Sequence, residues 1–246
     1  MKTVSMFLAL ALAAFAADTP PVMSRLHVVD IPNDSAAEFA AVQRDIAQVY
    51  KDNNAPLPRL AWTSLTGTSK FVSVAPLAGL DKMNERTWLS QQGEEYVRQA
   101  RSARLRKASG QATTKIITDV ADVKWEATPG ADPSPFIAVS IYEVKPGKTG
   151  DFSALVKQLS EAVKKVGKAK SFYVARTSYG ASWGEYHIVT GYASLADIPT
   201  SGTALRAAMG EAAYTTWSEK LNTTINSAER DLYRFRPEYS YLPAKK

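Results

Sequence analysis

The sequence predicts an α+β protein of two tandem modules, each running β-α-β-β-α-β, whose antiparallel sheets pack together. Three observations predict this. A Pro/Gly-rich stretch from Thr128 to Pro135 divides the chain near its middle and has the composition of a linker. The same order of strand and helix patterns follows on either side of it. Residue pairs also recur at matching places in the two halves. The expected organisation is a signal peptide at 1–16, a first module at 17–127, a linker at 128–135, and a second module at 136–246 that ends in an extended tail.

The N-terminus opens with Lys2 and an apolar run, Met6 to Ala16. That length fits an export signal and falls short of the roughly twenty residues of a spanning helix. Ala14-Phe15-Ala16 gives the small-x-small pattern of a cleavage site, which predicts a cut before Ala17. Asp18-Thr19-Pro20-Pro21 then stops the apolar helix. The expected location is periplasmic or extracellular, with no transmembrane anchor after cleavage.

In the first half, Arg25 to Ile31 reads as a strand, and Ser35-x-x-Glu38 as a capping box. Phe39, Val42, Ile46, Val49 and Tyr50 follow at helical spacing. Pro56 and Pro58 end that helix. Leu60 to Leu65 and Phe71 to Leu77 read as strands joined by the turn Thr66-Gly67-Thr68-Ser69. A helical region is expected from about Asn84 to Lys107, and a closing strand from Val120 to Trp125.

The second half repeats the order. Phe136 to Val144 is a strand stopped by Pro146-Gly147. Phe152, Leu155, Val156, Leu159, Val163 and Val166 make an amphipathic helix. Phe172 to Ser178 and Tyr186 to Ala193 are strands, Ala204 to about Ser227 is helical, and Leu232 to Phe235 is the last strand. Thr63-Ser64 answers Thr177-Ser178, and Gly93-Glu94 answers Gly210-Glu211, with Tyr96 and Tyr214 shortly after.

This split order resembles ferredoxin-like folds. The duplicated chain resembles the dimeric α/β-barrel superfamily in tandem form, and within it NIPSNAP-like and antibiotic-biosynthesis-monooxygenase-like domains. The resemblance spans nearly the whole chain after residue 16 but rests on architecture, so it assigns no catalytic residue. It implies a range of functions: cofactor-free monooxygenases, haem enzymes such as chlorite dismutases, and proteins without known activity.

Composition narrows the chemistry. With no Cys among 246 residues, disulfides, thiolate metal sites and thiol nucleophiles are all excluded. The formal charge is +6, and +5 without Lys2. Arg98, Arg101, Arg104, Arg106 and Lys107 crowd one helical segment, read as a solvated face, with a surface interaction role as the weaker account. Export argues against nucleic acid as a partner.

The chain has two histidines, His27 and His187, both on predicted strands. Each reads first as a strand residue satisfied by neighbours, and second as an axial ligand to haem, the one alternative to having no cofactor. Two strand histidines do not make a zinc site, so no metal is expected. Aromatic residues crowd the second half: Tyr173, Tyr179, Trp183, Tyr186 and Tyr192 lie on or beside two strands, and Tyr214 and Trp217 on the helix expected to cover them. Arg176 interrupts an apolar strand, where it would pair with an internal carboxylate or orient an anionic ligand. The candidate ligand-binding set is therefore Tyr173, Arg176, Tyr186, His187, Tyr214 and Trp217. The expected function is small-ligand binding, with a monooxygenase-like or haem oxidoreductase as the alternative. The oligomeric expectation is a monomer or homodimer.

Overall fold

The computed structural model describes residues 23–83, 88–199 and 202–243. The expected export segment lies outside the described residues. The first set of elements is β1 (Met23–Asp30), α1 (Ala36–Asp52), β2 (Leu60–Ser64), β3 (Lys70–Leu77), α2 (Glu95–Ala108) and β4 (Ala112–Asp119). A two-residue strand, β5 (Trp125–Glu126), follows. The second set is β6 (Phe136–Val144), α3 (Thr149–Val166), β7 (Ala169–Tyr179), β8 (Glu185–Tyr192), α4 (Thr203–Met209), α5 (Glu211–Thr224) and β9 (Ile225–Phe235).

Both sets show the same spatial order, fourth-first-third-second: β4-β1-β3-β2 and β9-β6-β8-β7. The two sheets then join at both edges. Trp62 of β2 lies opposite Phe235 of β9, and Thr118 of β4 opposite Arg176 of β7. Eight antiparallel strands thus close into a barrel, and β5 adds to β7 beyond the end of β4, with Trp125 opposite Phe172. Closure removes the open sheet edges that would otherwise template aggregation.

Several expectations change. The strand that closes the first set is Ala112–Asp119, whose polar sequence ATTKIITD conceals its pattern, while Val120 to Trp125 is mostly a 3-10 turn leading into β5. The helical region at 204–227 breaks at Gly210 (φ 87°, ψ 147°), and the last strand begins at Ile225 instead of Leu232. The capping box does not form: Ser35 makes no cap bond, and Glu38 pairs with Arg104 of α2 at 2.7 Å. Gly93 and Gly210 both have positive φ just before the helix that leads to the fourth strand, so their match marks an equivalent joint.

Among the described residues, helices cover only the outer face of the barrel. On the first sheet, Phe39 of α1 and Ala108 of α2 pack against Val29, Ala61 and Phe71. On the second, Phe152, Leu155 and Trp217 pack against Phe172, Tyr186 and Ile188. The Phe152 and Tyr186 rings lie 4.9 Å apart. The tail crosses to the first sheet, where Arg59 pairs with Tyr241 in an isolated bridge. Nη1 and Nη2 of Arg59 donate to the Tyr239 carbonyl and to Gln43 Oε1, each at 2.6 Å. Tyr239 makes a 3-10 turn with Pro237 and packs on Phe71, so the tail is folded where an extended course was expected.

Phe152 is fully buried at the centre of the second outer layer. Phe152→Ala is expected to cost about 3–5 kcal/mol, the range for truncating a buried phenylalanine, read by urea denaturation.

Candidate functional site in the barrel interior

In a strand, successive side chains point to opposite faces, so alternate residues of all eight barrel strands face inward. They leave a cavity of about 370 Å³, within the usual range for small-molecule sites. Its wall is mainly aliphatic and aromatic: Leu26, Val74 and Ile117 from one sheet and Val139, Val189 and Tyr233 from the other. Trp62 also lines it, and its Nε1 is a buried donor without a partner among the described residues.

Polar groups gather at separate places on this wall. One group is built on His187, which is only 5% exposed. His187 Nε2 lies 2.8 Å from Glu185 Oε1 and 3.0 Å from Thr177 Oγ1. Thr177 donates to Glu185 Oε1 at 2.6 Å, and Lys115 Nζ donates to both carboxylate oxygens at 2.8 Å. Burial alone would raise the Glu185 pKa, but the hydrogen bonds from His187, Lys115 and Thr177 outweigh it and bring it down to about 2. Glu185 is therefore an ionised acceptor at neutral pH.

The second group surrounds Tyr173, whose hydroxyl donates to Glu126 of β5. Burial first, then the Glu126 hydrogen bond and the charges of Glu126 and Asp119, push this phenol well above its usual range. Asp119 ends β4, and its side chain is 5% exposed. Burial raises its pKa to about 7, although Lys124 Nζ, 3.6 Å away, opposes the shift. At the remaining polar stretch, Asp30, Lys70 and Asp231 line the cavity, with Lys70 Nζ 3.9 Å from Asp231.

The sequence-derived candidates divide by strand parity. Tyr173 and His187 line the cavity. Tyr186 follows the opposite parity and is buried under α3 against Phe152. Trp217 is in the same outer layer, with its Nε1 donating to the Leu155 carbonyl at 2.9 Å, and Tyr214 packs beside it under Arg206. Arg176 points outward and is exposed, so it meets no internal ligand. The expected single aromatic wall is thus two layers separated by the sheet. Glu185, Lys115, Thr177 and Asp119 were missed. Glu185-x-His187 is a same-face pair at period two, visible in the sequence, whereas Lys115 was hidden by the misplaced fourth strand.

Two other motifs resolve. Gly180-Ala181-Ser182-Trp183-Gly184 has Gly-x-Ser-x-Gly spacing, but it forms the turn between β7 and β8 and not a strand-to-helix elbow, and Ser182 is exposed. In the basic helix, Arg104 pairs with Glu38 and Asp45, and Arg98 and Arg101 donate to the Gly93 and Leu89 carbonyls. No group of three or more His, Asp or Glu residues suited to a metal occurs among the described residues.

No protein-family model and no curated protein matches the sequence. Solved structures do. A candidate monooxygenase from Fusobacterium nucleatum superposes with a TM-score of 0.62 at 10% identity, covering 87% of this chain and 92% of that one. An anthrone oxidase-like protein gives 0.59 at 9%, covering 91% and 94%. A chlorite dismutase variant from Candidatus Nitrospira defluvii gives 0.52 at 9%, covering 90% and 94%. The fold is the dimeric α/β barrel in its tandem form. At such identities the likeness speaks for the fold alone.

Haem, which the resemblance implies as an alternative cofactor, would meet one histidine on the cavity wall, His187, through its Nδ1. His187 turns Nε2 into Glu185 and Thr177. His27 has the parity opposite to Leu26 and Val28 on the cavity wall, and its Nδ1 is 3.0 Å from Thr114 Oγ1.

Asp119 gives a pH prediction. Its folded pKa, about 7, exceeds its ordinary 3.8, so the folded state holds the proton more tightly. The associated stability is full at low pH and is lost as pH rises from about 4 through 7. Asp119→Asn should gain stability relative to the parent over that window and level off above it, as measured by thermal unfolding at pH 4, 5.5, 7 and 8.5.

Proposed function

We propose that the protein binds a small, largely apolar molecule inside the barrel, its polar end against the Lys115–Glu185–His187 group. The observation that carries this reading is the cavity itself. A well-formed apolar space of about 370 Å³, with convergent polar groups on its wall, suits one compact ligand. One chain supplies both sheets, so the site needs no second copy to be complete. A compound held at about 100-fold its Kd should add about 2.7 kcal/mol, a Tm rise on the order of 5–10 °C for a chain of this size. Ala175 lies opposite His187 on the cavity wall, and Ala175→Phe should abolish the Tm rise while leaving a cooperative transition. A diverse panel of apolar and hydroxyaryl compounds with no stabiliser in it would sink the reading.

A second reading, monooxygenase-like oxidation, is favoured by one feature: His187, held by a carboxylate, sits on the wall of an apolar cavity and can accept a proton from a bound substrate. Anthrone is a suitable first substrate, since it is compact and flat with one polar tip. Oxygen uptake above the uncatalysed rate, lost in His187→Leu, would support catalysis, and uptake equal to the buffer blank would reject it for this substrate class. A Soret band on haem addition, lost in His187→Leu, would support a haem version of this reading, and no spectral change would remove that version.

We also propose export, on the strength of Lys2, the Met6–Ala16 run and the Ala14-Phe15-Ala16 pattern. Mass spectrometry of the protein from its host should find a chain beginning at Ala17 outside the cytoplasm. An intact Met1 form confined to the cytoplasm would refute this.

A further inference from the structure

The two nitrogens of His187 have different surroundings. Nε2 is held by Glu185 and Thr177. Nδ1 has no hydrogen-bond partner among the described residues, and it is not among the side-chain atoms that are both sealed from solvent and unpaired. It is therefore reachable, and His187 lines the cavity. The ring is fixed from behind. An ionised carboxylate can only accept, so Glu185 takes the proton of Nε2–H, and a neutral imidazole then presents Nδ1 as an acceptor. Lys115 and Thr177 both donate to Glu185, which anchors the carboxylate and uses the nearest ammonium.

The neighbouring wall leaves space beside that nitrogen. Ala175 and Ile141 are the cross-strand neighbours of His187 on the same face, and the alanine leaves room next to the ring. The remaining charges on the wall are Asp30, Glu229 and Asp231 against Lys70, a balance that disfavours a second anion although the whole chain is positive.

We propose that the cavity selects neutral hydroxyaryl ligands, whose hydroxyl donates to His187 Nδ1, over carboxylates and over the same ring lacking a donor. This rests on the cavity-binding reading above and specifies the ligand class for that site. Removing the donor leaves a desolvated acceptor unpaired, and one such hydrogen bond corresponds to about a tenfold change in Kd.

The test uses the full chain and three probes of similar size, 4-ethylphenol, 4-ethylanisole and 4-ethylbenzoate, at about pH 8, well below the phenol's ionisation. Binding is followed by calorimetry, and the His187 ring nitrogens by 15N NMR. The chain has only two histidines, and His27→Gln assigns the signals. The expected result is 4-ethylphenol binding about tenfold or more tighter than either analogue, with the Nδ1 resonance moving on titration and Nε2 staying protonated. In His187→Leu the phenol's advantage over the anisole should vanish while the anisole still binds. If that variant does not fold, the parent protein's probe series and NMR shift decide alone. Equal binding of phenol and anisole, tighter binding of the benzoate, or an unmoved Nδ1 signal would overturn the donor-to-His187 assignment while leaving cavity binding intact. Binding of none of the three, together with the absence of any stabiliser in the broader panel, would remove both.

Discussion

Each four-stranded sheet has two faces, and among the described residues helices cover only one of them. Everything else in the architecture follows from that shortage. The inner faces carry Leu26, Val74 and Ile117 on one sheet and Val139, Val189 and Tyr233 on the other. Leaving such residues in water forgoes about 1.5–3 kcal/mol for each large side chain, so a module on its own would lose much of an ordinary domain's stability. Closing the edges at β2–β9 and β4–β7 lets each sheet shield the other. The closure is incomplete at the centre, where the side chains do not fill the barrel, and that residual space is the cavity.

The same alternation that sorts core from cavity also sorts chemistry from support. On β8, Tyr186 is locked under α3 while its neighbour His187 faces the interior. On β7, Tyr173 and Ala175 face in, while Val174 is buried in the outer layer and Arg176 is exposed. The His187 ring thus sits on two rigid, paired strands and is held from behind by a hydrogen-bonded carboxylate. Such backing fixes the orientation of a reactive group better than a loop does.

Much of the fold was legible in the sequence because its signals are local. The helical spacing of Phe39, Val42 and Ile46 and of Phe152, Leu155 and Leu159 identified α1 and α3, whose buried faces are those residues. The duplicated order of elements pointed to the tandem barrel. β4 escaped because ATTKIITD puts a threonine and a lysine into the inward row, and the pattern makes sense only once Lys115 has Glu185 as its partner 70 residues away. The candidate site was half legible for a related reason. Aromatic residues were read as one cluster, but adjacent strand positions such as 186 and 187 are separated by the thickness of the sheet. The distinction needed the parity of each strand relative to a barrel whose closure lies in long-range pairing.

The position of β9 sets the order in which the molecule can be completed. It is the last strand among the described residues, yet it lies between β2 and β6, and the tail beyond it supplies the carbonyl that Arg59 of the first half bonds. As a growing chain lengthens from its N-terminus, the first four-stranded sheet can form early, but β2 keeps an unpaired edge and the inner face stays wet until β9 emerges. Truncation near the C-terminus would therefore damage the half of the protein most distant from it in sequence. The apolar interior would first become available to a ligand only once β9 has paired on both sides.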